Sequence, residues 1–382
     1  MTTEISEKYA TIFNNAPDLM VASPGRINLI GEHLDYNGGW VLPAAIDKKI
    51  YFALGRRTDN ACHLYSMDYD ALEIIPLSNV VSSAKDWVNY LLGVVEQFQK
   101  EQLLPSGFNL VFGGDVPLGA GLSSSAAVEA GLAFAINELF DLKKSRMDLV
   151  KLAQRAENQF VGVQCGIMDM FASMMGRVGE VMRLDCRSLD FEYFPFDFKD
   201  VKIVLCDTSV KHSLADGTYN IRRQQCEEGV SVLKKRAPSV STLRDVSFDL
   251  LEQYKADMLP IVYQRCLYVV EEIARVEAAC KDLERHDLTA FGKKMNETHV
   301  GLSQKYEVSC KELDFLAENA WDTEGVFGSR MMGGGFGGCT INLVKTELIP
   351  QFIDRMSKAY FNAFNIQLKT YIVTVSNGTT RL

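Results

Sequence analysis

The sequence predicts a two-domain protein of mixed helices and strands, on three observations. At 382 residues the chain is longer than one ordinary core absorbs, so two domains are the default. Runs alternating apolar and polar residues, such as Ile50-Tyr51-Phe52-Ala53-Leu54 and Cys62-His63-Leu64-Tyr65-Ser66, stand among segments with apolar residues three and four apart. A strand-like run, Phe108-Asn109-Leu110-Val111-Phe112, turns through a glycine- and serine-rich corner into a helix-like run from Ala126 to Phe140.

That corner, Pro117-Leu118-Gly119-Ala120-Gly121-Leu122-Ser123-Ser124-Ser125-Ala126-Ala127, is the stretch around which the chain is organised. Gly119 and Gly121 permit close backbone approach and positive φ. The three serines then offer hydroxyls and backbone N–H groups where the helix begins. Free N–H groups and the positive end of the helix dipole make such a corner a natural phosphate site. It is not a Walker A loop, because no Gly-Lys-Ser/Thr follows. Taken by itself, the stretch leaves open a plain strand-to-helix turn capped by serine.

Composition excludes several function classes. The chain is 47% apolar and 23% charged, as in soluble globular proteins. A net charge of −9 argues against nucleic-acid and anionic-membrane partners. The N-terminus lacks the basic-then-apolar order of a signal peptide, and no apolar run approaches the roughly 20 residues that span a bilayer. Nine cysteines, an odd number without C-x-x-C spacing, read as reduced thiols in a cytoplasm, not as a disulfide framework or a zinc site.

In chain order, residues 5 to 15 read as a short amphipathic helix. From Leu19 to Ile30 the chain is apolar apart from Arg26, the lone charge between Asp18 and Glu32. A cation so placed needs a buried anionic partner or costs several kcal/mol. Glu32, His33, Asp35, Tyr36 and Asn37 then crowd into six positions, which suits the vicinal hydroxyls of a sugar; a solvated turn ending at Asn37-Gly38-Gly39 is the plainer reading. Residues 46 to 78 give two or three strands of a mixed sheet, and Trp87 opens a helix to about Lys100.

Residues 145 to 161 form a helix with a capping signature at Ser145 and Asp148 and an apolar face of Leu149, Leu152, Ala153, Ala156 and Phe160. Glu157 sits at the edge of that face, placed for a metal ligand or, equally, a surface ion pair. Asp169 is the lone charge from Gln159 to Gly176, and Arg26 is the matching orphan. A strand pair near Glu180–Leu184 closes the first domain, and Lys202–Cys206 starts the second. Tyr219 lies on a helix start, and residues 262 to 285 and 289 to 320 are helical. Five glycines in Gly333-Gly334-Gly335-Phe336-Gly337-Gly338 suit a hairpin that approaches something closely. Thr370–Val375 alternates like a strand that returns to the first domain.

Pro117 to Ala127 resembles the central motif of the GHMP kinases, the superfamily of galactokinase, homoserine kinase, mevalonate kinase and phosphomevalonate kinase. The segment from Arg26 through Gly31-Glu32-His33-Leu34-Asp35-Tyr36 resembles the galactokinase signature, Tyr219 to Cys226 resembles a Tyr-Asn-x-Arg-Arg-x-x-Cys segment of that family, and Arg330 to Cys339 resembles its third motif. The resemblance covers nearly the whole chain. It implies the two-domain α+β fold of GHMP kinases with the active site in the inter-domain cleft. Residues 1–195, with a C-terminal strand in 368–382, form the N-terminal domain, and 196–367 the C-terminal one.

The resemblance further implies ATP-dependent phosphorylation of the anomeric C1 hydroxyl of α-D-galactose to galactose 1-phosphate, the entry step of galactose catabolism by the Leloir pathway. Asp169 and Arg26 would be catalytic, and Glu32, His33, Asp35 and Tyr219 would hold the sugar. Pro117, Gly119, Ala120, Gly121, Leu122, Ser123, Ser124, Ser125 and Ala126 would hold ATP, with Ser66 and Trp87 near the adenine. Ser125 and Glu157 would bind Mg2+. Whether Asp169 takes the sugar proton or only orients the hydroxyl stays open. A cytoplasmic monomer is expected, with a small sugar and ATP as partners and neither nucleic acid nor membrane. Leu34, Met170 and Met332 stand where galactokinases usually carry threonine, glutamine and threonine. Leu34 motivates one alternative, a kinase for another hexose such as N-acetylgalactosamine. The other is a catalytically silent sugar sensor.

Overall fold

In the computed structural model, which describes residues 1–117, 119–211 and 215–382, two larger sheets and one small one carry the chain. Leu118, in the glycine-serine stretch, lies outside the described residues. The largest sheet has six strands in the order Thr380–Arg381, Leu19–Asn28, Pro43–Arg56, Phe108–Gly114, Ala61–Ser66, Ala71–Pro76. Its neighbours run antiparallel except Ala61–Ser66 beside Phe108–Gly114, which is parallel. The helix Ser124–Phe140 lies against this sheet and is buried on nearly every side, as its run of alanines, valine and leucine requires. It approaches so closely that a Cβ on Gly131 would fall 2.4 Å from the Phe52 ring.

The second sheet has four antiparallel strands, Val326–Met331, Gly337–Lys345, Val201–Lys211 and Lys369–Val373. The helix Ile349–Phe364 buries Phe352, Met356 and Tyr360 in the apolar cluster that also holds Val204, Cys206 and Val344 of that sheet. A small sheet of Trp40–Val41, Glu180–Asp185 and Phe191–Pro195 completes the set. One contiguous apolar core joins residues from both larger sheets.

Two expectations are corrected. Lys369–Val373 pairs with Val201–Lys211, and the return to the first sheet comes after it, at a bridge between Val375 and Ile46 and at Thr380–Arg381 beside Leu19–Asn28. The helix read from 289 to 320 is two helices, Leu288–Gln304 and Lys311–Trp321, separated where Glu307 takes a φ of 52°. The polypeptide there bends back so that the Val308 carbonyl accepts from Phe336 N–H at 2.7 Å. That bond is long-range, and helical periodicity carries no trace of it.

Candidate active site

The pairing of Leu19–Asn28 with Pro43–Arg56 slips between Pro24 and Arg26, a bulge of the kind that re-aims a side chain beside a site. A Cβ on Gly25 would lie 2.9 Å from the Leu122 carbonyl oxygen, so glycine lets this strand touch the glycine-serine loop. Arg26 N–H donates to that carbonyl at 3.1 Å, and Nη1 donates to the Gly121 carbonyl at 2.6 Å. The other edge of the guanidinium grips Asp169, Nε to Oδ1 and Nη2 to Oδ2, both at 2.7 Å. Arg26 is buried, whereas the Asp169 side chain keeps 26% exposure on the cleft side. The two charges that stand alone in apolar runs therefore meet, in the bidentate geometry that best offsets desolvation.

Ser123 Oγ donates to Asp169 Oδ2. Ser123 precedes the helix Ser124–Phe140 at a φ of 54° and does not cap it with its side chain, so its hydroxyl serves the aspartate instead. The loop opens on a cavity of about 230 Å3 lined by Pro117, Gly119, Gly121, Leu122, Ser123, Ser124 and Ser125, with Arg26, Gly333 and Gly334 from elsewhere. Ala120 and Ala126 do not line it; both are buried in the core. A second cavity of about 480 Å3 shares Arg26, Gly333 and Gly334 and adds Glu32, His33, Asp35, Glu157, Asp169 and Tyr219. The expected phosphate and sugar residues thus line two adjoining spaces, with Arg26 in the wall of both.

Each sugar-side residue is held differently. Glu32 is buried and engaged: Gly333 N–H donates to Oε1 at 2.8 Å, Arg330 Nη2 donates to Oε2 at 3.0 Å, and Asn28 Nδ2 also donates to Oε2. Burial pushes its carboxyl pKa up, and Arg330 and the Gly333 N–H pull against that. Arg330, fully buried, donates as well to the carbonyls of Asn28, Leu29 (2.8 Å) and Met331 (2.5 Å). His33, at a φ of 63°, pairs its Nδ1 with the Tyr36 hydroxyl at 2.7 Å. Its Nε2 is buried with no partner among the described residues. Burial lowers the His33 pKa to about 3, so the ring is neutral.

The His33 ring stands 5.5 Å from that of Tyr219 and 4.9 Å from that of Tyr306, centroid to centroid. Asp35 opens a short turn, Asp35–Asn37, and its carboxyl rests on Gly166, where a Cβ would come within 1.7 Å of Oδ2. Burial first, and the Asp169 charge second, raise the Asp35 pKa to about 6.

Glu157 does not continue the helix Arg146–Ala156 but begins a π turn, Glu157–Val161, a local bulge common at functional sites. It is buried, and Cys165 Sγ donates to its Oε2 at 3.0 Å. Burial raises its pKa to about 7; the hydrogen bond from Cys165 lowers it, the Asp169 charge adds to the rise, and a hydrogen bond from Ser125 opposes it. Ser125 and Glu157, far apart in sequence, therefore act on each other, Ser125 from the wall of the loop cavity and Glu157 from that of the larger one.

Ser66 and Trp87 line neither cavity. Ser66 pairs with Phe112 across the parallel strands, and Trp87 packs on Phe112 at 5.9 Å, so both border the strand that leads into the loop. Trp87 also stacks on the exposed Tyr69, rings 13° from parallel. Leu34 is buried in the core behind the site, against Gly39, and Met170 and Met332 are likewise core residues. Sequence reasoning missed Arg330, Tyr306, Cys165 and Gly166. Arg330 and Cys165 flank residues that were singled out, and a charge or thiol at such a place was the available signal. Tyr306 carried none, since its role depends on the bend between two helices.

Three family descriptions match the chain: GHMP kinases N terminal domain over residues 89–177, the galactokinase galactose-binding signature over 7–56, and GHMP kinases C terminal over 279–362. A galactokinase of Clostridium beijerinckii is 38% identical over 99% of this chain and 98% of its own length. One from Fusobacterium nucleatum is 40% identical over 93% of each. The crystal structure of Lactococcus lactis galactokinase complexed with galactose superposes with a TM-score of 0.94 at 33% identity, covering 100% of this chain and 99% of that one. A mevalonate kinase structure matches at a TM-score of 0.64 and 18% identity, a likeness of fold alone. With its full length aligned to such relatives and its motifs gathered in one cleft, the chain belongs to the galactokinase family of the GHMP kinases.

Proposed function

We propose that this chain phosphorylates the C1 hydroxyl of α-D-galactose with ATP, giving galactose 1-phosphate and ADP. The observation that carries the reading is the Arg26–Asp169 pair, set where the sugar-side cavity meets the cavity of the glycine-serine loop. The sugar lies among Glu32, His33, Asp35 and Tyr219, with its C1 oxygen toward Asp169. The triphosphate lies along Gly119 to Ser125, at the N-terminus of the helix Ser124–Phe140. The base rests near Ser66 and the Trp87–Tyr69 stack.

The C1 oxygen attacks the γ-phosphorus, the bond from that phosphorus to the β,γ-bridging oxygen breaks, and ADP departs with the electron pair. Asp169 hydrogen-bonds the C1 hydroxyl and takes its proton as the new bond forms. Its Oδ2 accepts from both Arg26 and Ser123 and its Oδ1 from Arg26 Nε alone, so Oδ1 keeps the more accepting capacity for the sugar hydroxyl. Arg26, held against Asp169 and the Gly121 carbonyl, stays fixed while charge develops on the transferring group, so positioning and electrostatics do most of the work. Glu157 and Ser125, which act on each other beside the loop, would hold Mg2+, to which they offer hard oxygen donors. When bound there, the ion would neutralise phosphate charge.

The buried, core-facing Leu34 removes the motive for a different hexose. The intact Arg26–Asp169 pair speaks against a silent sensor. The reading carries with it a cytoplasmic monomer; among the described residues no helix is long and apolar enough to cross a membrane. The domain boundary stays near residue 195, with Lys369–Val373 assigned to the second domain. Phosphate transfer from ATP to a panel of free hexoses tests the proposal. Galactose should be phosphorylated far better than glucose or N-acetylgalactosamine, and equal rates for glucose would overturn it.

A further inference from the structure

Tyr36 and Tyr306 take no part in the mechanism above, yet they form a chain of hydrogen bonds that ends on His33. His33 Nδ1 lies 2.7 Å from the Tyr36 hydroxyl, that hydroxyl lies 2.9 Å from the Tyr306 hydroxyl, and the latter lies 3.2 Å from Cys226 Sγ. Tyr306 sits at the bend between two helices, and the bend is fastened from three sides. Arg222 Nε donates to the Tyr306 carbonyl at 2.7 Å, Arg265 Nη2 to the Glu307 carboxylate at 2.5 Å, and Phe336 N–H to the Val308 carbonyl at 2.7 Å. The Tyr306 ring also packs on that of Tyr268, centroids 4.7 Å apart. Burial raises both phenol pKa values, so both hydroxyls keep their hydrogens, and the His33 ring is neutral.

Such a chain can point either way, and acid–base strength decides the direction. A phenol is a stronger acid than a neutral imidazole N–H, and an imidazole nitrogen is a stronger base than a phenol oxygen, so the Tyr36 O–H donates to Nδ1. The Tyr36 oxygen then accepts from Tyr306, whose own oxygen accepts from the Cys226 thiol, and each donor is used once. The one hydrogen of the ring is left on Nε2. That nitrogen is buried without a partner among the described residues, and His33 lines the larger cavity. We propose that Tyr36 and Tyr306 are positioning residues for the sugar, fixing His33 in the tautomer that presents an Nε2–H donor to a galactose hydroxyl. The inference rests on the reading of His33 as a galactose residue. A hydroxyl that accepts from Nε2 gives its own hydrogen elsewhere, and Asp35 lines the same cavity. That hydroxyl is then read as acceptor and donor at once, and a sugar lacking it leaves buried polar groups unpaired.

The test reads the tautomer without sugar and the effect on the sugar separately. Nitrogen-15 NMR of the full chain with labelled histidine, at neutral pH, should show His33 as one neutral tautomer, hydrogen-bonded at Nδ1 and protonated at Nε2. The chain has five histidines, and the signal missing from His33→Gln identifies the right one. Tyr36→Phe and Tyr306→Phe each remove a hydroxyl and keep the ring. Both should shift the Nδ1 signal, Tyr306→Phe less because it acts through Tyr36. Galactose KM should rise about tenfold in Tyr36→Phe and about threefold in Tyr306→Phe, with ATP KM little changed. A hydrogen on Nδ1 in the wild type, or an Nδ1 signal unmoved in both variants, would overturn the proposal. So would an unchanged galactose KM, or an equal rise in both KM values, which marks general loosening. A wild type that phosphorylates no galactose would instead refute the proposed function, and the histidine signals would still decide the hydrogen-bond chain.

Discussion

Replacing Asp35 by asparagine should make the protein more stable at neutral pH while disabling its sugar site. The Asp35 carboxyl is desolvated and faces the Asp169 charge, so its pKa stands at about 6 against an ordinary 3.8. About two pKa units correspond to about 3 kcal/mol. The sign follows from linkage: an acid whose folded pKa is raised binds protons more tightly in the folded state. Its charge therefore costs stability above pH 6, the cost shrinks as pH falls from about 6 toward 3.8, and it is gone below that. Asparagine carries no charge in either state and escapes the cost. Partial exposure of the carboxyl screens the effect, leaving about 1.5–3 kcal/mol at pH 8. At about 2 °C per kcal/mol for a domain of this size, Tm should rise by about 3–6 °C. Thermal melts at pH 8, 6 and 4.5 would show this rise fading as pH falls. Melts with galactose should show wild type gaining more than the variant, because the ionised carboxyl is the better acceptor of sugar hydroxyls. A variant less stable than wild type at pH 8, or a difference that ignores pH, would refute the reasoning.

Three further outcomes follow from the same geometry. Asp169→Asn should cut kcat by roughly 10²–10⁴-fold with nucleotide still bound, while stranding buried Arg26 lowers stability by roughly 3 kcal/mol; near-normal turnover in a normally melting variant would remove Asp169 from the chemistry. Gly166→Ala should raise the KM for galactose with little change in the nucleotide KM, since its methyl group would displace the Asp35 carboxyl; steady-state kinetics with each substrate varied separately decide it. Arg330→Met should cost roughly 3–5 kcal/mol by leaving Glu32 buried without its cation. Combined with Glu32→Gln, it should cost less than the sum of the two single changes, as denaturant melts of all four proteins would reveal.

Much of the site was legible because buried charge is conspicuous in an apolar sequence. Arg26 and Asp169 each stood alone in a long uncharged run, and the structure joins them by two hydrogen bonds. The glycine-serine corner was legible for a similar local reason, since its turn and helix start are written in consecutive residues. The side chains of Ala120 and Ala126 turn into the core, because a motif marks a stretch of chain and not which of its side chains face the cavity. The π turn at Glu157 and the left-handed Glu307 were illegible for another reason. Both depend on contacts with residues distant in sequence, and periodicity assumes a uniform helix.

Glu32 shows how such distant contacts change the meaning of a motif residue. By sequence it is one of four polar side chains offered to a sugar. In the fold its two carboxylate oxygens accept from Asn28, Arg330 and Gly333, so its first task is to fasten the N-terminal motif to the glycine hairpin. Arg330 reinforces that join through the carbonyls of Asn28 and Leu29. The two segments come from different sheets, and Gly333 and Gly334 line the phosphate-side and sugar-side cavities alike. On the proposed reading, a group that would orient the sugar is thus bonded to the backbone that would border the triphosphate. Displacing either shifts the other, which fits a reaction whose catalysis is largely positioning. The glycine hairpin and the acid signature therefore act as one site.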